Sequence, residues 1–297
     1  MPESNSNRQT YDEASYAKVD PDKSVHQHSD RIFHNPSFTY EEVESVISAQ
    51  LSGQTLSLKL SLKSSQTALL LFHFVDTSVI RMQLKRDAGD SSFEEQSDML
   101  VPFQGETVNP DMDRTEAGWS LSFGSCELQI GQKPFHLKLV EQSSGRVIFQ
   151  TERYELAGKP LVGTLGFRQS MFPGEGEWTP YLSWKMRNRE RFFGLGEKWN
   201  RVEKSGSRAT IWASDTCGSN SNDLSYKSLP YLLSSEGWGV FLHSSFRSLW
   251  EIGSFSYVSG SCATEDDKLD LFLFLGKRQN FKSLIERYTA LDRKSVV

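Results

Sequence analysis

The sequence predicts an all-β protein, a sandwich or barrel of short antiparallel strands that ends in one helix. The chain has 297 residues and is rich in aromatic side chains, with 19 Phe, 9 Tyr and 7 Trp, which favour strands. Apolar and polar residues alternate with a period of two through much of the chain, and Gly, Ser and Asp separate the alternating runs. A chain of this length can form one large β domain with a sizeable core.

The first clear strand is TLSLKLSLK, in which Leu56, Leu58, Leu60 and Leu62 would share one face. The next run, ALLLFHFV, is apolar almost throughout and predicts a strand buried on both faces. Further strands are predicted in SVIRMQLK, GWSLSFGSCELQI and PFHLKLVEQSSGRVIFQ. The last of these indicates a hairpin that turns at Ser144-Gly145.

The final strands are predicted in YLLSS, GWGVFLHSS and KLDLFLFLG, and the helix follows them in NFKSLIERYTAL. Apolar residues recur there at helical spacing: Phe281, Leu284, Ile285, Tyr288 and Leu291. Asn280 is the predicted N-cap. We therefore predict a β domain over 31–278 and a helix over 279–291.

The composition argues against several function classes. A net charge of -5 provides no basic field for nucleic acid or an anionic membrane, and no segment is apolar for long enough to span a bilayer. The three cysteines are far apart and lack C-x-x-C spacing, which argues against a disulfide framework and a zinc site. We predict reduced thiols, a cytoplasmic location, and no metal or cofactor. Residues 1–30 have few aliphatic side chains and no signal-peptide pattern, and they predict a disordered or loosely docked tail.

A long polar connection separates two of the predicted strands. It runs from Ala213 to Ser225, whereas hairpin loops usually have two to five residues. Trp212 and Tyr226 flank it, and aromatic faces beside hydroxyl, amide and carboxylate groups suit a sugar. Asp215 is the best candidate for a carboxylate that binds a sugar hydroxyl. The alternative is that Asp215 and Asn220 form Asx turns and that Trp212 is a core residue at a strand end.

Several motifs around this connection resemble one known family. They are FFGLGEK at 192–198, IWASD at 211–215, SYKSLPYLLSSEGWGVF at 225–241 and IERYTAL at 285–291. Together they resemble the N-terminal domain of glycoside hydrolase family 31, the α-glucosidase and α-xylosidase family, and the earlier strands fit the same domain. The resemblance implies a galactose-mutarotase-like β-sandwich whose catalytic machinery lies in a following (β/α)8 barrel. One loop of the sandwich would reach over the barrel mouth.

The resemblance also implies roles for individual residues. It matches Asp215 to the family's loop aspartate that reaches a substrate hydroxyl. Trp212 is a second substrate-binding candidate, although the family often uses this Trp to support the loop from beneath. Asn220, Tyr226 and Lys227 are expected to shape the loop. The family's two catalytic carboxylates come from barrel strands, so we expect no catalytic residue in this chain.

Two other polar residues are less convincing as catalytic groups. Glu197 lies in a Gly-rich stretch, but Gly194 and Gly196 are expected to mark positions of positive φ or close approach, with Glu197 and Lys198 as a structural polar pair. His243 is tempting because sugar epimerases with this fold use histidines as acid and base. A lone strand histidine is more often structural, and the sequence indicates no carboxylate partner for it.

We therefore predict that the chain is the N-terminal substrate-loop and scaffold domain of a retaining α-glycosidase of α-xylosidase or α-glucosidase type, inactive on its own. Its partners would be an α-linked oligosaccharide or glycoside and the barrel of the same protein, and the full-length form is a candidate homo-oligomer. Two alternatives remain. The chain could be a free-standing carbohydrate-binding module or a sugar epimerase of mutarotase type.

The last residues depart from the family pattern. After YTAL the family continues with T-G-[RK]-x-x-x-[LM]-P-P-x-W and the barrel, whereas this chain reads DRKSVV over 292–297. The codons GAT CGG AAG AGC GTC GTG encode that hexapeptide, and they begin a common sequencing adapter. We expect a truncated reading frame whose natural gene continues into the barrel.

Overall fold

The computed structural model describes residues 31–86, 107–156, 159–171, 177–213 and 225–292, together with Phe93 and Leu100. Within these ranges the chain forms the following strands and helix: β1 (Phe38–Ser52), β2 (Thr55–Leu62), β3 (Thr67–Asp76), β4 (Val79–Arg86), β5 (Asp111–Arg114), β6 (Gly118–Phe123), β7 (Cys126–Gly131), β8 (His136–Glu141), β9 (Arg146–Gln150), β10 (Tyr154–Leu156), β11 (Lys159–Val162), β12 (Leu165–Ser170), β13 (Trp178–Lys185), β14 (Phe192–Gly194), β15 (Ser207–Ile211), β16 (Tyr231–Ser234), β17 (Trp238–Leu242), β18 (Ser248–Ser256), β19 (Ser259–Thr264), β20 (Lys268–Leu275) and α1 (Phe281–Leu291).

The main sheet has thirteen strands in the order β14-β16-β17-β20-β4-β3-β2-β1-β12-β13-β19-β18-β15. Strand β1, the eighth of the thirteen, links the two halves of the sheet, because residues 38–42 pair with β12 and residues from Val43 onward pair with β2. The apolar faces of the two halves contribute to one core, so the halves face each other as layers. We call the layer from β14 to β2 the first layer and the layer from β12 to β15 the second layer.

A five-stranded sheet, β5 to β9 in sequence order, extends the second layer. Thr151, just after β9, forms a β-bridge with Trp184 of β13, and the Glu152 N–H donates to the Ser183 carbonyl at 3.2 Å. Leucines and phenylalanines from this sheet enter the same core. The predicted all-β sandwich is therefore confirmed.

The core confirms the alternation of β2, whose four predicted inward leucines are fully buried. The same core holds an aromatic group in which the Trp184 ring is 5.9 Å from that of Trp238 and 6.3 Å from that of Trp250. The prediction for β3 is only partly right. Its inward residues are buried, but His73 on the other face is exposed.

Helix α1 lies on the outer face of the first layer. Asn280 caps it by accepting the Ser283 N–H, as predicted, and its buried residues are Leu284, Tyr288 and Leu291. The Tyr288 ring stacks on that of Tyr231 at 4.6 Å. Ile285 is 45% exposed, so the buried stripe is narrower than the sequence predicts.

Two other expectations concern thiols and membranes. Cys126 and Cys262 are free and buried, in agreement with reduced thiols at these two positions. In the part of the chain that the structure describes, no helix is both apolar and long enough to cross a bilayer.

The outer face of the second layer is covered by the segment that precedes β1. Ile32 and Phe33 are buried against Tyr181 and Leu249. Beneath this segment Glu251 is 3% exposed, and it accepts the Ile32 N–H at 3.4 Å. Burial raises the pKa of Glu251 from 4.5 to about 7, although this hydrogen bond and nearby arginines oppose the shift.

This shift sets an expected pH dependence of stability. The folded state binds the Glu251 proton more tightly than the unfolded state does. Protonation of Glu251 therefore adds to the free energy of unfolding, and this stabilisation is complete below pH 4.5 and is lost as the pH rises to about 7. The loss would be on the order of 3 kcal/mol. Urea unfolding at pH 5 and pH 8 should show this loss as a lower free energy of unfolding at pH 8. Glu251→Gln should make the two free energies nearly equal. Glu286→Gln, which alters an exposed carboxylate, should leave the difference between them unchanged. An equally steep pH profile in Glu251→Gln would contradict the assignment.

Candidate functional site

The polar connection singled out by the sequence lies at the edge of the sandwich. The end strands of the thirteen-stranded sheet are β14 and β15, one in each layer. Residues 195–206 join β14 to β15, and residues 212–230 join β15 back to β16, the neighbour of β14. Two successive connections therefore cross between the layers at the same edge.

The first connection begins with a sharp turn that requires glycine. Gly194, Leu195 and Gly196 all have positive φ, at 109°, 66° and 72°. A Cβ atom on Gly194 would lie 2.2 Å from the Tyr231 carbonyl oxygen, and one on Gly196 would lie 2.4 Å from the Lys227 carbonyl oxygen. The sequence expectation of positive φ and close approach at Gly194 and Gly196 is confirmed.

Backbone hydrogen bonds join this turn to β16 and to the second connection. The Leu195 N–H donates to the Tyr231 carbonyl and the Glu197 N–H donates to the Lys227 carbonyl, both at 2.9 Å. The Lys198 ammonium donates to the Thr210 carbonyl at the end of β15. The backbone of this turn and the Lys198 side chain therefore hold the two ends of the second connection, next to β15 and next to β16.

Two residues that the sequence analysis did not single out hold the rest of the first connection. Lys204 is 3% exposed, and its ammonium donates to Asn200 Oδ1 and to the Arg201 carbonyl, both at 2.6 Å. Burial lowers the pKa of Lys204. Glu203 accepts the Phe192 N–H at 3.2 Å and the Ser205 N–H at 2.9 Å. In sequence these are two charged residues in a polar run, which gives no signal of burial.

The base of the second connection is also fixed. Ala213 and Ser225 form a parallel β-bridge, which brings together the two ends of the polar stretch. Trp212 is 41% exposed and Tyr226 is 56% exposed. Trp212 is therefore not a core residue, contrary to the alternative interpretation. Asp215 and Asn220 lie outside the described residues, and their roles remain predictions.

Further exposed aromatic side chains lie close to this base. Trp199, which is 58% exposed, follows the lysine that bonds to Thr210. Phe246, which is 53% exposed, lies two residues before Ser248. Ser248 pairs with Ile211 at the end of β15. Exposed rings beside a polar chain segment can pack on the C–H faces of a sugar while hydroxyl and carboxylate groups bond to its edges. The arrangement is chemically suited to saccharide contact.

His243 has a carboxylate partner that the sequence did not reveal. Its Nδ1 lies 3.1 Å from Asp270 Oδ2, and Arg81 binds the same carboxylate through Nε at 2.9 Å and Nη2 at 2.6 Å. The expectation of no matched His and carboxylate pair is therefore wrong. Burial opposes ionisation of Asp270, but the bonds from Arg81 and His243 outweigh it and lower its pKa.

The comparison with family models agrees with the motifs. Residues 70–251 match the model described as the glycosyl hydrolase 31 N-terminal galactose mutarotase-like domain. The matched range extends from β3 to β18 and includes both connections at the sandwich edge.

Curated relatives match over a shorter stretch. An α-xylosidase of Emericella nidulans is 33% identical over 105 residues, which is 35% of this chain and 13% of that protein. The α-xylosidase XylQ of Lactiplantibacillus pentosus is 33% identical over 102 residues, 34% of this chain and 13% of its own length. The chain therefore spans only a small part of the length of the relatives it matches.

Solved structures share the fold over most of this chain. A Flavobacterium johnsoniae GH31 dextranase complexed with glucose superposes with a TM-score of 0.66 at 20% identity, covering 84% of this chain and 28% of that one. A GH31 α-xylosidase from a soil metagenome, complexed with xylose, superposes with a TM-score of 0.60 at 15% identity, covering 82% of this chain and 34% of that one.

Proposed function

Because the chain belongs to the glycosyl hydrolase 31 N-terminal galactose mutarotase-like family, we propose that it is the N-terminal substrate-loop and scaffold domain of a retaining α-glycosidase. In this role the sandwich supports a catalytic (β/α)8 barrel and sends the connection of residues 212–230 over the barrel mouth. The barrel performs the acid, base and nucleophilic chemistry, with two carboxylates that flank the glycosidic bond.

The observation that supports this role most strongly is the way the polar connection is held. Its base is closed by the Ala213–Ser225 bridge, and its second half is bound to the preceding turn through the Lys227 carbonyl. A polar loop on a fixed base can be positioned against a partner surface at low cost in conformational entropy. Exposed Trp212 at that base provides a ring for a sugar face.

An α-xyloside or α-glucoside is the proposed substrate class. Two relatives, each 33% identical over the matched stretch, are named α-xylosidases, and an "Alpha-glucosidase 2" of Bacillus thermoamyloliquefaciens is 23% identical over 235 residues. Asp215 is proposed to accept a hydrogen bond from a substrate hydroxyl, with Trp212 as a supporting contact. Asn220, Tyr226 and Lys227 shape the connection.

Isolated, the chain should bind saccharides only feebly. It would supply one wall of the sugar site, and losing the remaining contacts removes most of the free energy of binding. We expect calorimetry with xylose- and glucose-containing oligosaccharides to give dissociation constants above about 1 mM. Micromolar affinity of this chain alone would instead favour a free-standing carbohydrate-binding module.

The His243–Asp270 pair is the observation that favours the second candidate, a mutarotase-type epimerase, because a carboxylate that orients a histidine is a common acid–base arrangement. Two contacts argue for a structural role: Arg81 occupies both oxygens of Asp270, and the His243 ring packs beside Phe241 and Phe272.

Optical rotation tests the epimerase candidate directly. We expect freshly dissolved α-D-glucose to relax at its spontaneous rate in the presence of the chain, and His243→Ala to leave that rate unchanged. Faster relaxation with the wild-type chain, abolished in His243→Ala, would replace the scaffold role with an epimerase activity.

A further inference from the structure

A polar cavity lies at strand β1, several strands away from the end strands β14 and β15 that hold the candidate site. It forms where β1 passes from one layer to the other, between this bend and the turn that joins β7 to β8, and its volume is about 350 Å³. We call it the β1 cleft. Its polar lining includes Glu42, Glu44, Lys63, Lys133, Thr151 and Arg153, together with His136 and Thr164. The volume falls within the range of about 300–1,000 Å³ that is usual for small-molecule sites.

The floor of the β1 cleft is a fixed carboxylate. Glu42 is 6% exposed. Its Oε1 accepts the Thr164 N–H at 2.9 Å, and its Oε2 lies 2.5 Å from Lys63 Nζ and 3.4 Å from Arg153 Nη1. Glu42 therefore draws a lysine and an arginine to the same wall of the cleft.

A second ion pair lies at the mouth. Lys133 Nζ is 2.9 Å from Glu44 Oε1, and both side chains are substantially exposed, at 66% and 43%. Lys63 is also 43% exposed. The Lys63 ammonium has three N–H donors, and its bond to Glu42 occupies one of them. Lys63 in the wall and Lys133 at the mouth are therefore accessible to a ligand that enters from solvent.

The balance of charge indicates the kind of ligand. Lys63, Lys133 and Arg153 carry three positive charges against the two negative charges of Glu42 and Glu44. Low-dielectric walls concentrate the field of such an excess inside a cleft, so an anion is favoured over a neutral or zwitterionic molecule. The Glu44 carboxylate is 43% exposed and accepts hydrogen bonds only, so a ligand with donors such as hydroxyl groups can bond to it.

We propose that the β1 cleft binds a small polyhydroxylated anion, a sugar acid or a sugar phosphate. Its anionic group lies at Lys63 and Arg153, and its hydroxyls donate to Glu44. Lys133 closes the mouth. This inference is independent of the proposed glycosidase role, since the cleft lies at β1, in the interior of the sheet, and the polar connection lies at its end strands.

Calorimetric titration of the chain with glucuronate, glucose 6-phosphate, glucose, acetate and inorganic phosphate tests the proposal. We expect at least one sugar anion to bind ten-fold or more tightly than glucose and than the matching simple anion, and 0.5 M NaCl to weaken that binding about five-fold or more. The two sugar anions identify whether a carboxylate or a phosphate is the preferred group.

The variants locate the binding. Lys63→Gln and Lys133→Gln should each weaken it at least five-fold, whereas Lys59→Gln, which alters an exposed lysine on β2 outside the cleft, should leave it unchanged. Circular dichroism confirms that each variant is folded. Failure of both sugar anions to bind at 20 mM, equal affinity for glucose, equal affinity for the simple anion, or unchanged binding in the two cleft variants would each overturn the proposal.

Discussion

Gly196→Ala is expected to destabilise the chain by at least about 3 kcal/mol. The added Cβ would lie 2.4 Å from the Lys227 carbonyl oxygen and 2.6 Å from the Leu229 nitrogen, at a φ of 72°. Both atoms belong to the backbone, so no side chain can rotate away to make room. The substitution should separate the two connections and break the Glu197–Lys227 hydrogen bond between them.

Gly206→Ala is the matched control. Gly206 has a similar φ of 76°, but nothing lies within 4 Å of the position that an added Cβ atom would take, so only the backbone strain of about 1–2 kcal/mol should appear. Urea unfolding gives the two free energies, and hydrogen exchange at the Glu197 amide reports the local opening. Equal destabilisation by the two substitutions would show that close approach at Gly196 has no role in holding the connections together.

The strands were predictable because their signal is local. The leucines of β2 and the turn between β8 and β9 follow from a period of two and from Ser and Gly at the turn. The helix and its Asn280 cap follow in the same way from spacing along the chain. Each of these elements depends on residues within one short segment, and each is found where the sequence places it.

Long-range pairing has no comparable local signal. The sequence does not show that β1 pairs with β2 along one part and with β12 along the other. The same reason explains why Asp270 was missed as the partner of His243, since the two residues meet through the pairing of β17 with β20. Burial of Lys204 likewise depends on how the first connection folds back on β14, where the Lys204 N–H donates to the Phe192 carbonyl, and its neighbours in sequence do not reveal this.

The candidate site was predictable in part. Positive φ at Gly194 and Gly196 follows from the demands of a tight turn, and the unusual length of the connection from Ala213 to Ser225 is typical of a functional or a disordered segment. The role of Asp215 follows from resemblance to the family and not from spacing, because a single aspartate in a polar loop is chemically compatible with an Asx turn.

Asp215→Ala is the second substitution with a large expected effect. If Asp215 accepts a hydrogen bond from a substrate hydroxyl, its loss should remove a charge-assisted bond of about 1.5–3 kcal/mol. That corresponds to a decrease in kcat/KM of roughly 10- to 100-fold in the full-length enzyme, since each 1.4 kcal/mol is a factor of about ten. Asp215→Asn, which keeps an acceptor but loses the charge, should fall between the wild type and Asp215→Ala.

The central claim is that the connection of residues 212–230 contacts a saccharide held by a catalytic barrel. The most direct test is kcat/KM of the full-length enzyme for 4-nitrophenyl α-D-xyloside and α-D-glucoside, with wild type, Asp215→Ala and Asp111→Ala compared. Asp111 is an exposed carboxylate on β5, away from the sandwich edge formed by β14 and β15. The account predicts a roughly 10- to 100-fold loss for Asp215→Ala and none for Asp111→Ala. Hydrolysis by Asp215→Ala at the wild-type kcat/KM on both substrates would contradict it.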